Sequence, residues 1–264
     1  MSEDRPRTSP LGWSTADRVI VHDHDLAEEL LGEVGFGAMA FLSLTRRLPS
    51  PDEAAVFEAC LVTLVEHGPT PSSLATRLTL LGAPDSLQGA VAAGLLGVGG
   101  RFVGSIEGAA QLTQDAWAAE PDAEVETLAG QIVDRFAHED RPVPGFGHPV
   151  HRPTDPRSTR LFEIAADHGY SGRHVELIRA VGEVLAVRRG EPLTLNATGA
   201  IGALLGELGL PWQAGRGIGV MARAVGLVGH VLDEMEQPMA AELWYRVDDE
   251  VRAAALEAAE ESDR

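Results

Sequence analysis

The chain has 264 residues, a hydrophobic content of 44% and a formal net charge of −19 at pH 7. That length and composition provide for a sizeable buried core, in one compact body or in two closely joined domains. Because so acidic a chain repels an extended polyanion, nucleic acid is not expected as a partner.

All 21 basic residues are arginines, and the chain contains no lysine. Schiff-base chemistry, a pyridoxal phosphate anchor and a phosphate-loop lysine all require the residue type that is missing. Arginine instead grips a carboxylate or a phosphate with a planar fork of two hydrogen bonds. The sequence therefore predicts an anionic small-molecule ligand held by arginines.

Cysteine usage and hydropathy indicate the compartment. Cys60 is the single cysteine, so neither a disulfide within the chain nor a cysteine-based zinc cluster is expected. The segment Met1–Pro10 is polar, and no run approaches the roughly 20 apolar residues of a membrane span. We expect a cytoplasmic protein that does not enter a membrane.

Helical spacing dominates from Leu26 onward, after a short predicted strand at Val19–Val21. The best-marked helix begins with Ser50 as its N-cap, has Glu53 to complete a capping box, and runs to His67. Further helices are predicted at about residues 73–81, 86–97, 102–119, 122–138, 157–167, 173–188, 197–208 and 217–236, and the acidic tail 253–264 is typical of a solvated terminal helix. The sequence thus predicts an all-α fold.

The first candidates for chemistry along the chain are His22, His24 and Cys60. His22 and His24 would share one side of a strand and could bind a metal, but an exposed polar run is the simpler interpretation, so no metal site is predicted. Cys60 and His67 are two helical turns apart, about 10 Å, which is too far for a nucleophile pair. Cys60 is therefore assigned to the core.

The stretch Arg141–Arg157 contains five prolines and cannot form a regular helix, and a long irregular loop in a helical protein commonly carries function. The stretch and the residues that follow it gather five basic or titratable side chains: His148, His151, Arg152, Arg157 and Arg160. They form either an anion site with His148 as its titratable group or a surface loop paired with acidic residues. His67, where a helix meets a turn, is likewise a capping or core group or a catalyst.

The turn Gly145–His148, followed by Arg152 and by Asp155–Arg157, resembles the citrate synthase signature without a gap. Other blocks extend the resemblance over about residues 12–250: Gly32–Gly35, Arg46–Pro49, Glu66–Pro69, Gly94–Phe102, Leu195–Gly202 and Ala222–Asp233. Together they are most similar to citryl-CoA lyase and to the citrate-synthase-like module of ATP-citrate lyase.

This resemblance implies roles for individual residues. His67 would donate a hydrogen bond to the thioester carbonyl and stabilise the enolate of acetyl-CoA. His148 would act at the tertiary hydroxyl in cleavage, or polarise the keto group in condensation. Arg157 and Arg223 would hold substrate carboxylates, and Arg152 would lie near a phosphate of coenzyme A.

The chain departs from the family at one position. Family members carry Asn-x-Asp where this chain has Asn196–Thr198, so a hydroxyl replaces the carboxylate that moves a proton at the acetyl carbon. Threonine is not a general base near neutral pH, and losing a positioned base commonly costs about 10²–10⁴-fold in rate. A water held by Thr198 would still protonate an enolate during cleavage.

The resemblance also implies an architecture. It is a large helical domain formed by residues 1–74 and 191–264, with a smaller helical domain at 75–190 that closes over coenzyme A, in a homodimer. No permanently bound cofactor and no metal are expected, because the coenzyme A thioester is itself the substrate, together with a di- or tricarboxylate.

The leading functional hypothesis is cleavage of citryl-CoA, or a related 3-hydroxy-3-carboxyacyl-CoA, to acetyl-CoA and oxaloacetate or a related 2-oxo acid. One alternative is a citrate-synthase-type condensation, favoured by the position of Arg157. The other is a coenzyme A-binding homologue without catalysis, motivated by Thr198.

Overall fold

The computed structural model describes residues 11–100, 102–148 and 150–262. Three short strands, β1 (Gly12–Ser14), β2 (Val19–Val21) and β3 (His24–Asp25), precede a single π-helical turn at Leu26–Leu30. The helices that follow are α1 (Phe36–Thr45), α2 (Pro51–Val65), α3 (Pro71–Gly82), α4 (Leu87–Leu96), α5 (Gly104–Ala119), α6 (Val125–His138), α7 (Pro156–Asp167), α8 (Arg173–Arg189), α9 (Ala197–Glu207), α10 (Ala214–Glu236) and α11 (Ala240–Ser262). The all-α prediction is confirmed. Outside the described residues lie Arg101, in the block Gly94–Phe102 of the resemblance, Pro149, in the proline-rich stretch, and the last two residues of the acidic tail.

The N-terminal strands form an antiparallel sheet in the order β1-β2-β3. His22 lies in the turn between β2 and β3 with a φ of 43°, whereas His24 lies on β3. His24 contacts Glu29 through Nδ1, at 2.9 Å from the carboxylate. The two histidines therefore do not alternate along one strand, as a shared metal site on that strand would require.

The N-terminus of α2 has the predicted capping box. The Ser50 hydroxyl accepts the Glu53 N–H at 3.2 Å, and the Glu53 carboxylate accepts the Ser50 N–H at 2.8 Å. A hydrogen bond from the Arg47 guanidinium lowers the pKa of Glu53 to about 2. The helix ends at Val65, two residues before the predicted end, because the Glu66 carboxylate accepts the backbone N–H groups of the next turn.

Contacts divide the described residues into two compact units. The first runs up to Thr63 and then takes in Ser105–Gly217; the second consists of Leu64–Gly104 and the residues from Ile218 onward. The domains expected from the resemblance, residues 1–74 with 191–264 and residues 75–190, are defined by closure over a ligand and stay a prediction.

The core of the first unit is formed by α5 to α9. Helix α8 packs between α6 and α9, and α7 packs on α9. Gly202 lets α9 approach α5 at backbone distance, since a Cβ there would lie 2.7 Å from the Ala110 nitrogen. This close approach brings the N-terminal ends of α5 and α9 together, which matters for the site below.

A buried histidine lies in this core. The His174 ring is 8% exposed, and its Nδ1 is 3.3 Å from the Thr113 hydroxyl. Since that hydroxyl donates to the Ala110 carbonyl, it accepts from the ring, so Nδ1 carries the proton. Burial, helped by Arg173, lowers the pKa of His174 to about 4, and the ring is neutral at pH 7.

The buried ring makes stability fall in acid. Its folded-state pKa lies below the unfolded value, so the stabilisation is full above about pH 6.5 and is lost as the pH falls toward 4. Between pH 7 and pH 5 we expect the wild type to lose about 2 kcal/mol more unfolding free energy than His174→Gln. Urea unfolding at both pH values measures this difference, with the exposed His138→Gln as control. Equal losses in wild type and His174→Gln would contradict the assignment.

The second unit consists of α3, α4, most of α10 and α11. Leu80, Ala90 and Val231, from α3, α4 and α10, form its apolar centre. Gly94 lets α4 lie against α3, since a Cβ there would come within 2.8 Å of the Ser72 carbonyl oxygen. Among the described residues, no helix combines the length and the apolar character needed to cross a membrane.

Candidate active site

The irregular loop before α7 is tied to the segment that leads into α9. Phe146 pairs with Leu195 as an isolated antiparallel bridge, flanked by hydrogen bonds from the Gly147 N–H to the Thr194 carbonyl at 2.7 Å and from the Asn196 N–H to the Gly145 carbonyl at 3.0 Å. The loop is thus held at Gly145–Gly147 by backbone pairing, as a short strand would be.

Two glycines of the signature are required by this geometry. Gly145 and Gly147 both have a φ of 87°, a conformation that residues with a Cβ rarely adopt. A Cβ on Gly145 would also lie 2.6 Å from the Gly199 Cα, so α9 meets the loop at backbone distance. The Asn196 side chain donates to the Gly147 carbonyl at 2.8 Å and fixes the residue before His148.

His148 is oriented by its own loop. Its Nδ1 accepts the backbone N–H groups of Val150 and His151, at 3.1 and 2.9 Å. A nitrogen that accepts two hydrogen bonds carries no proton, so the neutral ring is protonated at Nε2. Nη2 of Arg157 lies 3.3 Å from that nitrogen. In this tautomer both groups are donors, so an N–H of His148 lies beside an N–H of Arg157.

Asp155 organises the same corner from beneath. Its fully buried carboxylate accepts the Arg157 N–H at the start of α7 and the Ala197 N–H at the start of α9, at 3.0 and 3.1 Å. It also binds the Arg157 guanidinium, with Nε at 3.0 Å and Nη2 at 2.8 Å. Burial alone would raise the pKa of Asp155, but the hydrogen bonds from Arg157 outweigh it and the pKa is lowered. Asp155 is therefore an anion, and it fixes Arg157 beside His148.

Thr198, in the first turn of α9, lies between two uncharged partners. Its hydroxyl donates to the Asn196 side-chain oxygen at 2.6 Å and accepts from the Ser105 hydroxyl at 2.8 Å. Asn196 also caps α9, since its side-chain oxygen accepts the Gly199 N–H at 3.0 Å. Thr198, which the resemblance aligns with the family's carboxylate, thus lies in a chain of neutral hydrogen bonds, and such a chain holds a polar group but takes no proton from carbon.

A cavity of about 430 Å³ lies beside His148. Arg152, Arg189 and Thr194 line it together with His148 and Gly147. Glu191 also lines the cavity and lies 3.7 Å from Arg189, so Arg152 is the guanidinium group here best suited to a phosphate of the ligand. This is consistent with the predicted role of Arg152.

The remaining predicted residues belong to the second unit. His67 is exposed in the turn between α2 and α3, and its backbone N–H donates to the Glu66 carboxylate at 2.8 Å. Arg223 is half-buried on α10. The structure brings His148, Arg157 and Arg152 together in the first unit, with Thr198 joined to the same loop through Asn196. That His67 and Arg223 meet them on one substrate stays a prediction.

Comparison with known proteins identifies the family. The family model described as "Citrate synthase, C-terminal domain" matches residues 18–245 of the chain. The chain therefore belongs to the citrate synthase family, whose members found here as relatives are all enzymes acting on coenzyme A thioesters.

Within this family, the chain is similar to a citryl-CoA lyase and to ATP-citrate lyases. The structure of citryl-CoA lyase from Hydrogenobacter thermophilus is 30% identical, with a TM-score of 0.79 and coverage of 88% of each chain. A variant of Methanosaeta concilii ATP citrate lyase in complex with (3S)-citryl-CoA is 21% identical, with a TM-score of 0.72, covering 89% of this chain and 40% of that one, and shows the fold alone. A probable ATP-citrate synthase of Dictyostelium discoideum is 29% identical over 74% of this chain. The chain spans about a third of the length of the curated relatives it matches, 33% in that case.

Proposed function

We propose that the protein cleaves a 3-hydroxy-3-carboxyacyl-CoA, with citryl-CoA as the first candidate, to acetyl-CoA and oxaloacetate or a related 2-oxo acid. The observation that carries the proposal is the neutral hydrogen-bond chain Ser105–Thr198–Asn196 at the family's carboxylate position. Condensation must remove a proton from an unactivated acetyl carbon, which needs a base there. In cleavage the same step runs in reverse: an enolate forms at that place and takes its proton from water, without a carboxylate having to remove one from carbon.

The proposed reaction moves one proton off oxygen and one onto carbon. The tertiary hydroxyl loses its proton to solvent while the Nε2–H of His148 and the Arg157 guanidinium stabilise the oxyanion that forms. Its electron pair makes the carbonyl of the 2-oxo acid, and the bond between C2 and C3 breaks. The electrons of that bond become the enolate of acetyl-CoA, to which His67 donates a hydrogen bond. A water beside Ser105 and Thr198 gives the enolate carbon its proton.

Charge supports the assignment of the substrate. Arg157 is held by Asp155 next to His148, and Arg152 and Arg189 line the adjoining cavity, in a chain whose net charge is −19. A local cluster of guanidinium groups in so acidic a protein favours a ligand with carboxylates at one end and phosphates at the other.

The first experiment is incubation with citryl-CoA. We expect release of acetyl-CoA and oxaloacetate in equal amounts, with oxaloacetate followed by coupled reduction with NADH and acetyl-CoA followed by mass spectrometry. His67→Ala should lower kcat by about 10²-fold or more, because the enolate loses a donor that is aimed at its oxygen. The exposed His138→Ala is the matched control. Wild-type protein that released neither product would contradict the proposal.

Condensation of acetyl-CoA with a 2-oxo acid is the second candidate. Arg157 favours it, because this arginine falls where synthases hold the 2-oxo acid, and a base supplied by substrate or solvent would have to replace the carboxylate.

A coenzyme A-binding homologue without catalysis is the third candidate, and it predicts binding without turnover for every acyl-CoA tested.

We further propose a homodimer. Four exposed apolar side chains recur on α10 at helical spacing, namely Val225, Val228, Leu232 and Met235. A stripe of this kind is typical of an interface. Light scattering on the purified chain measures the mass, and a monomer at all micromolar concentrations would contradict the proposal.

A further inference from the structure

A buried arginine in the second unit anchors a network of side chains that the proposed mechanism does not use. Arg77 of α3 is 5% exposed, and its guanidinium donates to Glu234 at 2.8 Å and to Asp233 at 2.5 Å. Its third nitrogen, Nε, donates to Nδ1 of His230 on α10 at 3.1 Å. An arginine has no acceptor atoms, so every one of these bonds runs outward from Arg77.

This arrangement fixes the tautomer of His230. Nδ1 must supply the lone pair that Arg77 needs, so the proton of the neutral ring sits on Nε2. Nε2 lies 3.0 Å from one carboxylate oxygen of Glu66 and 3.2 Å from the other. His230, whose side chain is 10% exposed, thus accepts a hydrogen bond from the buried Arg77 and donates one to the Glu66 carboxylate at the end of α2.

Glu66 in turn holds the turn that carries His67. One of its carboxylate oxygens accepts the backbone N–H of His67 at 2.8 Å and that of Gly68 at 2.5 Å. Gly68 has a φ of 69°, a conformation that suits glycine and turns the chain away from the helix axis. The peptide that presents the His67 ring is therefore clamped by one carboxylate.

The packing of α10 brings His230 to this place. A Cβ on Gly226 would lie 1.9 Å from the Val65 carbonyl oxygen, so α10 crosses the end of α2 at backbone distance. His230 is one helical turn further along the same face, which places its ring beside Glu66. Glu66 and His230 are 164 positions apart in the chain, so only the tertiary structure shows the connection.

We infer that Arg77, His230 and Glu66 form a positioning chain that sets the orientation of His67. The inference rests on the proposed role of His67 as the donor to the thioester oxygen. It also explains why Glu66, although adjacent to His67, is not a substitute for the missing base: its carboxylate is engaged by His230 and by two backbone N–H groups.

The test compares two substitutions of one residue. His230→Leu removes both ring nitrogens, whereas the amide of His230→Gln offers an acceptor to Arg77 and a donor to Glu66. With citryl-CoA we expect His230→Leu to lower kcat by about 10-fold to 10²-fold with little change in KM, because a displaced donor harms the transition state more than binding. His230→Gln should recover most of the loss, and the exposed His138→Leu should leave kcat unchanged.

A double-mutant cycle and amide exchange complete the test. Glu66→Ala combined with His230→Leu should lower kcat no further than either alone, since the two side chains act in series. Hydrogen exchange of the His67 and Gly68 amides should become at least 10-fold faster in His230→Leu and stay slow in His230→Gln.

The outcomes separate this inference from the proposed function. Unchanged exchange of the two amides in His230→Leu would overturn the positioning chain, whatever the substrate. Additive losses in the cycle would overturn it as well. Faster exchange with no turnover of citryl-CoA by the wild type would uphold the chain and reject the proposed function. If His67→Ala impairs cleavage and His230→Leu does not, the function stands and the inference fails.

Discussion

Replacing His148 with alanine is expected to lower kcat for citryl-CoA cleavage by about 10²–10⁴-fold. The ring is fixed by two backbone N–H groups at Nδ1, which leaves the proton on Nε2 beside Arg157, and the proposed reaction uses this N–H as the donor to the reacting oxygen. His148→Gln should exceed His148→Ala by about 10-fold, because the amide also presents an N–H donor. Steady-state kinetics on wild type and both variants measure the effect.

The control for this series is His138→Ala, which removes an exposed histidine at the end of α6. Unfolding midpoints should show that His148→Ala remains folded, since the ties of the loop to Thr194 and Asn196 do not use the ring. A folded His148→Ala variant that retained wild-type kcat would rule out His148 as a catalytic donor.

Introducing a carboxylate with Thr198→Asp is expected to raise citrate-synthase-type condensation by about 10²–10⁴-fold over the wild type. The new side chain would keep the Ser105 hydroxyl as a donor but would face the Asn196 side-chain oxygen. That oxygen cannot exchange places with the amide nitrogen, because it accepts from Gly199 while the nitrogen donates to Gly147. An acceptor held against a carboxylate raises its pKa, which suits a general base near neutral pH.

Thiol release from acetyl-CoA and oxaloacetate measures this gain. Thr198→Asn is the matched control, since asparagine has the shape of aspartate without its basicity. If the wild type already condenses the two substrates rapidly and Thr198→Asp adds nothing, condensation becomes the leading function and another group must act as the base.

Local patterns predicted much of the fold. The capping box of Ser50 and Glu53 is contained in four consecutive residues, and the structure has both of its hydrogen bonds. The end of α2 was placed two residues too late because the bond that stops the helix involves the side chain of Glu66. The sequence pattern does not predict helix α1, and α11 begins 13 residues before the predicted helical tail. Both contain exposed apolar residues such as Phe36 and Trp244, which weaken the usual two-faced pattern.

The site was only partly visible in the sequence. His148 and Arg157 stand in one signature, nine residues apart, and the structure brings them within 3.3 Å. Ser105 was missed because it lies 93 positions from Thr198, on a helix that Gly202 brings close. In the sequence, Asp155 stands out only as part of the Asp155–Arg157 motif. Its burial between two helix starts follows from how α7 and α9 pack, which no local pattern indicates.

Because Gly145–Gly147 pairs with Thr194–Asn196 through the backbone, this part of the loop loses its conformational entropy during folding and not during ligand binding. A free loop of this composition would lose its conformational freedom only when the substrate arrived, and affinity would fall accordingly. Here the backbone hydrogen bonds already fix the loop in the folded chain. An arriving anion meets N–H groups whose directions are already set, so its capture requires little rearrangement of the first unit.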